Sequence, residues 1–180
     1  ESPEIEFHAK VDVEDIQYPD LDFGNLIVDV QGKYRDNLES VGKMTLENLS
    51  FMDIQGESVA LDFQVLYTDH LSSQQELFVQ NLEISEGVQI PKISSKSHFV
   101  FDEEFYLNAP DIKVSSLFYD NHPLYEKAIV DVRYEGSDIN VKLDVQAQTH
   151  SLIKSVIDVK DFDIVEVSEM FIEPLVGHSF

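Results

Sequence analysis

The strongest constraint in this chain is a change of phase inside an alternating pattern. Val11-Asp12-Val13-Glu14-Asp15-Ile16-Gln17-Tyr18 places apolar residues at positions one and three, then at six and eight. Met44-Thr45-Leu46-Glu47-Asn48-Leu49-Ser50-Phe51 repeats the pattern 33 residues later. Leu77-Phe78-Val79-Gln80-Asn81-Leu82-Glu83-Ile84 repeats it after another 33, with Phe78 as the exception. Leu107 to Val114 is a looser copy with Asp111 in fifth place, and Ile157 to Ile164 a good one with Asp161 there. An overlapping copy, Leu21 to Val28, lies inside the first interval. Apolar residues two apart share one side of a strand, so an uninterrupted strand would send the two pairs to opposite faces. A β-bulge at the Asp or Asn, one extra residue in a backbone region those residues tolerate, restores a single apolar face. The alternative is that the Asp or Asn ends one strand and opens a turn. Either way there are about two strands per 33 residues, and such units stack because one alone cannot bury its apolar side.

Val59 to Tyr67 and Ile139 to Ala147 alternate without interruption over nine residues each. One-sided strands of this kind belong to antiparallel sheets. The predicted fold is all-β: one domain over residues 1–180, an antiparallel, twisted or curved sheet of about ten strands built from hairpin repeats. It is either an open groove or a β-sandwich, with almost no helix. Turns are expected at Gln31-Gly32, Gln55-Gly56 and Glu86-Gly87, and an extra hairpin joins 128–134 to 139–147 through Glu135-Gly136-Ser137-Asp138. The only helical stretches of note, 36–41, 122–128 and 151–156, are short and read as turns.

Composition narrows the partners. Twelve Lys and Arg stand against 35 Asp and Glu, a net charge of −23. With 43% apolar and 11% aromatic residues the chain has the material for a packed face, unlike an acidic disordered tail. The only arginines are Arg35 and Arg133, too few for a phosphate-binding patch, so nucleic acid is excluded. The absence of cysteine removes disulfides, thiolate catalysis and thiolate zinc sites. No apolar run approaches the length of a membrane span. The chain starts at Glu1 without a signal-peptide core, and an exported protein is expected, with a leader removed or as a soluble fragment of a larger anchored protein.

Chemistry-bearing motifs do not emerge. There is no Gly-x-Ser-x-Gly elbow, phosphate-cradling glycine loop or His-Glu-x-x-His. His8, His70, His98, His122, His150 and His178 stand singly, with no metal-ligand spacing. Asp20, Asp22, Asp102, Glu103 and Glu104 are the acidic residues that a hard cation would use, but they do not match a calcium loop, and Asp161 and Asp163 read as a solvated strand face. The expectation is a non-enzyme with no cofactor and no metal. Phe99 and Phe101 are expected in the core; in the alternative of a closed β-sandwich, function would sit in loops at 69–75, 91–97 and 119–125.

The copies at 11–18, 44–51, 77–84 and 157–164 resemble the strand repeats of the AsmA-like superfamily of Gram-negative envelope proteins. The segment from Gly42 to Phe51 is similar to repeats of the related YdgA-like periplasmic proteins. That resemblance implies a long, curved sheet with an apolar concave groove for phospholipid acyl chains, in the periplasm or otherwise in the cell envelope. It supplies no catalytic residues. The residues expected to line the apolar, ligand-binding face are Val13, Leu46, Leu49, Phe51, Leu61, Phe63, Val79, Leu82, Ile84, Val132, Val141, Leu143, Val145 and Phe162. The expected partner is a lipid or other hydrophobic ligand, or a protein. The competing expectation is a closed β-sandwich acting as a surface adhesion or protein-interaction module.

Overall fold

A computed structural model describes residues 3–18, 21–85, 87–102, 105–135, 138–147 and 150–160. Every element is a strand, and all belong to one open antiparallel sheet. The first six, β1 (Ile5–Tyr18), β2 (Leu21–Tyr34), β3 (Leu38–Phe51), β4 (Ile54–Tyr67), β5 (Leu71–Ile84) and β6 (Val88–Phe101), have 14 residues each. Next come β7 (Phe105–Val114), β8 (Leu117–Tyr119), β9 (His122–Tyr125), β10 (Lys127–Glu135), β11 (Asp138–Ala147) and β12 (His150–Val159). The order is β1-β2-β3-β4-β5-β6-β7-β10-β11-β12, with β8 pairing β6 and β9. Of the two expected architectures the open sheet is the one found. No second sheet faces it among the described residues. The expected short helical stretches are strand and bend: 36–37 bend before β3, 122–128 fall in β9 and β10, and 151–156 in β12.

The 33-residue period is the hairpin itself. β1, β3 and β5 start at Ile5, Leu38 and Leu71. The period persists in broken form. β7 and β8 run in succession beside β6, which pairs β7 from Ile93 onward and β8 at Val88 and Gln89. β9 and β10 return over residues 122–135 with a break at Glu126.

Asp15, Asn48 and Asn81 occupy left-handed backbone, at φ of 53°, 54° and 49°. Asp111 does the same at 55°. Asp and Asn enter this region at lower cost than β-branched residues. The first three differ from the expected bulge in one respect. Register is continuous on both sides of them: Glu14 faces Asn25 and Ile16 faces Phe23. Glu47 faces Ser58 and Leu49 faces Gly56, and Ser58 faces Gln80 and Gly56 faces Leu82. No extra residue is needed because the partner strands slip phase at the same level. β2 is apolar at Leu21 and Phe23, then at Leu26 and Val28; β4 changes between Gly56 and Val59. The result is a transverse crease through Asp15, Gly24, Asn48, Glu57, Asn81 and Pro91, which meets the break between β7 and β8. Along it, between β4 and β5, Asn81 donates from Nδ2 to Glu57 Oε2. Only Asp111 sits at a true bulge, where β7 has one more residue than β10 between the Ile112–Val130 and Ala109–Val132 pairs. Asn25, at the fifth position of the overlapping copy, is not left-handed; that copy is the phase slip of β2 at the crease, without a positive φ.

Two expected turns, Gln31-Gly32 and Gln55-Gly56, are strand interior. Gly32 pairs Phe7, and Gly42 pairs Phe63. A Cβ at Gly32 would lie 2.6 Å from Phe7 Cζ, and one at Gly42 2.5 Å from Phe63 Cζ. Each glycine therefore makes room for an aromatic ring from the adjacent strand. Gly56 is buried within β4 rather than turning the chain. Gly87, at φ 84°, does lie in a turn. The expected loops at 71–75 and 91–97 belong to β5 and β6. The loop at 119–125 is the β8–β9 hairpin, whose two turn residues, Asp120 and Asn121, both have positive φ, the requirement of a type I′ turn. The extra hairpin is found as β10 and β11.

Candidate functional site

The register places the sequence-derived apolar residues in transverse rows. The longest row has one member on each of ten strands: Val13, Leu26, Leu46, Val59, Val79, Ile93, Val114, Ala128, Val145 and Ile153. All ten are apolar. Leu61 and Phe63 share their side with Val59, two and four residues along β4. Val132 pairs Val141, and Leu143 pairs Val130, on the same side as Ala128 and Val145. Beyond the crease, Leu49, Leu82, Phe51 and Ile84 form two further rows, with Gly56 and Ile54 between them. Phe162 lies outside the described residues.

This face is incompletely covered. Among the described apolar residues only Val79, Ile90, Ala109, Ala128, Tyr134 and Val145 are buried, and none of the large side chains is fully enclosed. Ile153, at the end of the long row, is 54% exposed, and Val11 is 49% exposed. Full burial of an aliphatic side chain contributes about 1.5–3 kcal/mol. A single layer leaves much of that unrealised, because the other half of the usual two-layer core is not supplied by these strands. The densest part is aromatic: Phe105 lies 6.0 Å from Phe99 and 5.6 Å from Tyr134 between ring centres. Phe101, expected in the core, is 55% exposed at the end of β6. Ser73 is buried on this side between Val65 and Phe99, and its hydroxyl has no hydrogen-bond partner.

The opposite face is mainly polar, with Val41 the apolar exception in its row. His8, Gln31, Val41, Gln64, Gln74, His98, Asn108, Arg133, Asn140 and Asp158 form a matching ten-strand row. Beside it Lys10, Asp29, Lys43, Asp62, Glu76 and Lys96 form a charged row. Asp29 lies 2.7 Å from His8 Nε2 and Lys43 3.1 Å from Asp62, and Lys96 pairs Glu76. These pairs are exposed and contribute little to stability; Lys43 opposes Asp62 and Lys96 opposes Glu76, whereas Asp62 opposes Glu76 and His8 reaches Asp29 diagonally from its place opposite Gln31. An open trough of about 820 Å³ lies over these two rows. Of the residues expected to bind ligand only Phe63 reaches it. The side chains of Gln31, Gln64, Gln74 and Asn108 line it without hydrogen bonds among the described residues. Period-two reading of the sequence identifies these residues as a wet face; what it lacks is the transverse register that lines them up.

Of the acidic residues that a hard cation would use, Asp22 is on β2 and Asp102 follows β6, while Asp20, Glu103 and Glu104 lie outside the described residues, as does Asp161 of the last repeat copy. Among the described residues no three His, Asp or Glu side chains gather in a metal-holding group. No helix among them is long and apolar enough to cross a membrane. No protein-family model, curated protein or solved structure matches the chain.

Proposed function

We propose that this chain is a non-enzymatic binding sheet of the bacterial cell envelope, whose apolar face holds the acyl chains of a lipid-like ligand. The observation that carries the reading is the uninterrupted apolar row from Val13 to Ile153 on a face that no second layer covers among the described residues. With strands about 4.8 Å apart, its nine steps span about 43 Å. The hydrocarbon of one bilayer leaflet is about 15 Å deep, half of the roughly 30 Å core, so the row is longer than one acyl chain. Val79, Ala128 and Val145 are buried, six members of the row are half-buried and Ile153 is exposed, so apolar surface remains along the row for a ligand to cover. The polar reverse face and the charge of −23 oppose stacking of sheets on one another. The resemblance of the crease-bearing repeats to AsmA-like strands agrees with this reading.

The test is lipid recovery and exchange. Protein purified without detergent is extracted and the extract analysed by mass spectrometry, and a fluorescent long-chain fatty acid is titrated in. Recovered lipid, and saturable binding weakened at least tenfold by Leu46→Glu, are expected. An empty extract together with no saturable binding overturns the proposal.

A further inference from the structure

β1 is an edge strand whose outer side pairs with nothing among the described residues. A long, unpaired strand edge is a template for another strand. Along the polar side of β1 the order is His8, Lys10, Asp12, Glu14: two basic groups, then two acidic ones. All four are exposed, and Lys10, Asp12 and Glu14 form no ion pair or side-chain hydrogen bond within the chain among the described residues.

That order is self-complementary in the antiparallel sense. If two β1 strands pair about a two-fold axis through Val11, Lys10 faces Asp12 of the other copy and His8 faces its Glu14. On the apolar side Val11 meets Val11 and Ala9 meets Val13. Moving the axis one residue toward the N-terminus sets Lys10 against Lys10; moving it one residue the other way sets Asp12 against Asp12. Like charges directly opposite destabilise a pair. Because the axis is normal to the sheet and paired residues share parity, both apolar faces stay on one side. Val11 is 49% exposed and gains cover from its counterpart. The pairing uses the segment before Asp15, where the crease redirects the strand.

We infer that this chain self-associates through β1, edge to edge and two-fold about Val11, doubling the sheet and joining the two apolar faces. Two-fold association covers the β1 edge of both copies and leaves β12 as the outer strand at each end of the doubled sheet.

The test uses the whole chain, which lacks cysteine. Val11→Cys should oxidise to a covalent dimer, while a cysteine at Val156, on the strand at the far end of the sheet, should not. Native mass spectrometry of the unmodified chain should show a dimer. Lys10→Glu should weaken it at least tenfold, and Lys10→Glu with Asp12→Lys should restore it, with circular dichroism reporting unchanged strand content throughout. A monomer at all concentrations, cross-linking at Val156 but not Val11, or a swapped double variant as weak as the single one overturns the inference.

Discussion

The backbone N–H of Asp111 donates to Oδ1 of Asp131, 2.8 Å away on the neighbouring strand. Asp111 is the left-handed residue of the β7 bulge, and a bulge leaves one ladder donor without its usual partner. The Asp131 carboxylate takes that role. Asp131→Ala should therefore cost about 1 kcal/mol, the value of an ordinary intramolecular hydrogen bond. Asp131→Asn, which keeps the oxygen acceptor, should cost less. Urea unfolding midpoints of the two variants check this, and equal losses would contradict it.

At the crease, the side chain of Asn48 is tolerated where a branched one is not. Asn48→Val should destabilise by about 1–2 kcal/mol, the cost of a non-glycine residue forced into sparsely populated backbone. Asn48→Gly should change stability by less than about 0.5 kcal/mol, since glycine adopts positive φ freely. Thermal denaturation compares the two; equal loss in both would mean that the side chain, not the backbone, matters at this position.

The pairing of Gly42 with Phe63 is a steric one. A methyl at residue 42 would lie 2.5 Å from the Phe63 ring and 3.0 Å from the Asp29 carbonyl oxygen. Gly42→Ala should cost about 1–3 kcal/mol by overpacking. Adding Phe63→Leu should recover part of that loss, giving a non-additive double-mutant cycle measured by chemical denaturation. Strict additivity would show that the ring does not occupy the space over the glycine.

The crease was legible in the sequence because Asp15, Asn48 and Asn81 sit between apolar pairs of opposite parity. Its nature was not. Whether a phase slip inserts a residue depends on the neighbouring strand, and Gly24, Glu57 and Pro91 carry no shared signature. Gly32 and Gly56 read as turns because glycine marks both turns and close backbone approach. The side of the apolar face was legible for the same reason that strands alternate. What covers that face, and that His8, Gln31, Gln64, Gln74, His98 and Asn108 align across the sheet, depend on pairings between distant segments.

The β4–β5 turn supplies a pH test. The Thr68 hydroxyl, 2.7 Å from Asp69 Oδ1, the backbone N–H of Asp69 and the His70 ring at 2.8 Å together hold the Asp69 carboxyl below its ordinary value of 3.8. A carboxyl depressed in the folded state stabilises it above the unfolded value, and that contribution is lost as pH falls through the folded one. NMR titration of the side-chain carboxyl should find Asp69 below the usual aspartate range. Thr68→Val should move it upward. A midpoint at the ordinary value in the unmodified chain, or no movement on substitution, would contradict the assignment.

The central claim, that the apolar row through Leu46 and Val59 carries acyl chains, is tested most directly with paired probes on opposite faces. An environment-sensitive fluorophore is attached to a cysteine at Val59, on the apolar row, and in a second protein to a cysteine at Ser94, on the reverse face. On adding a long-chain fatty acid below its micellar concentration, the probe at residue 59 should shift to the blue and saturate, and the probe at residue 94 should stay unchanged. Equal shifts at both positions, or none at residue 59, would contradict the claim.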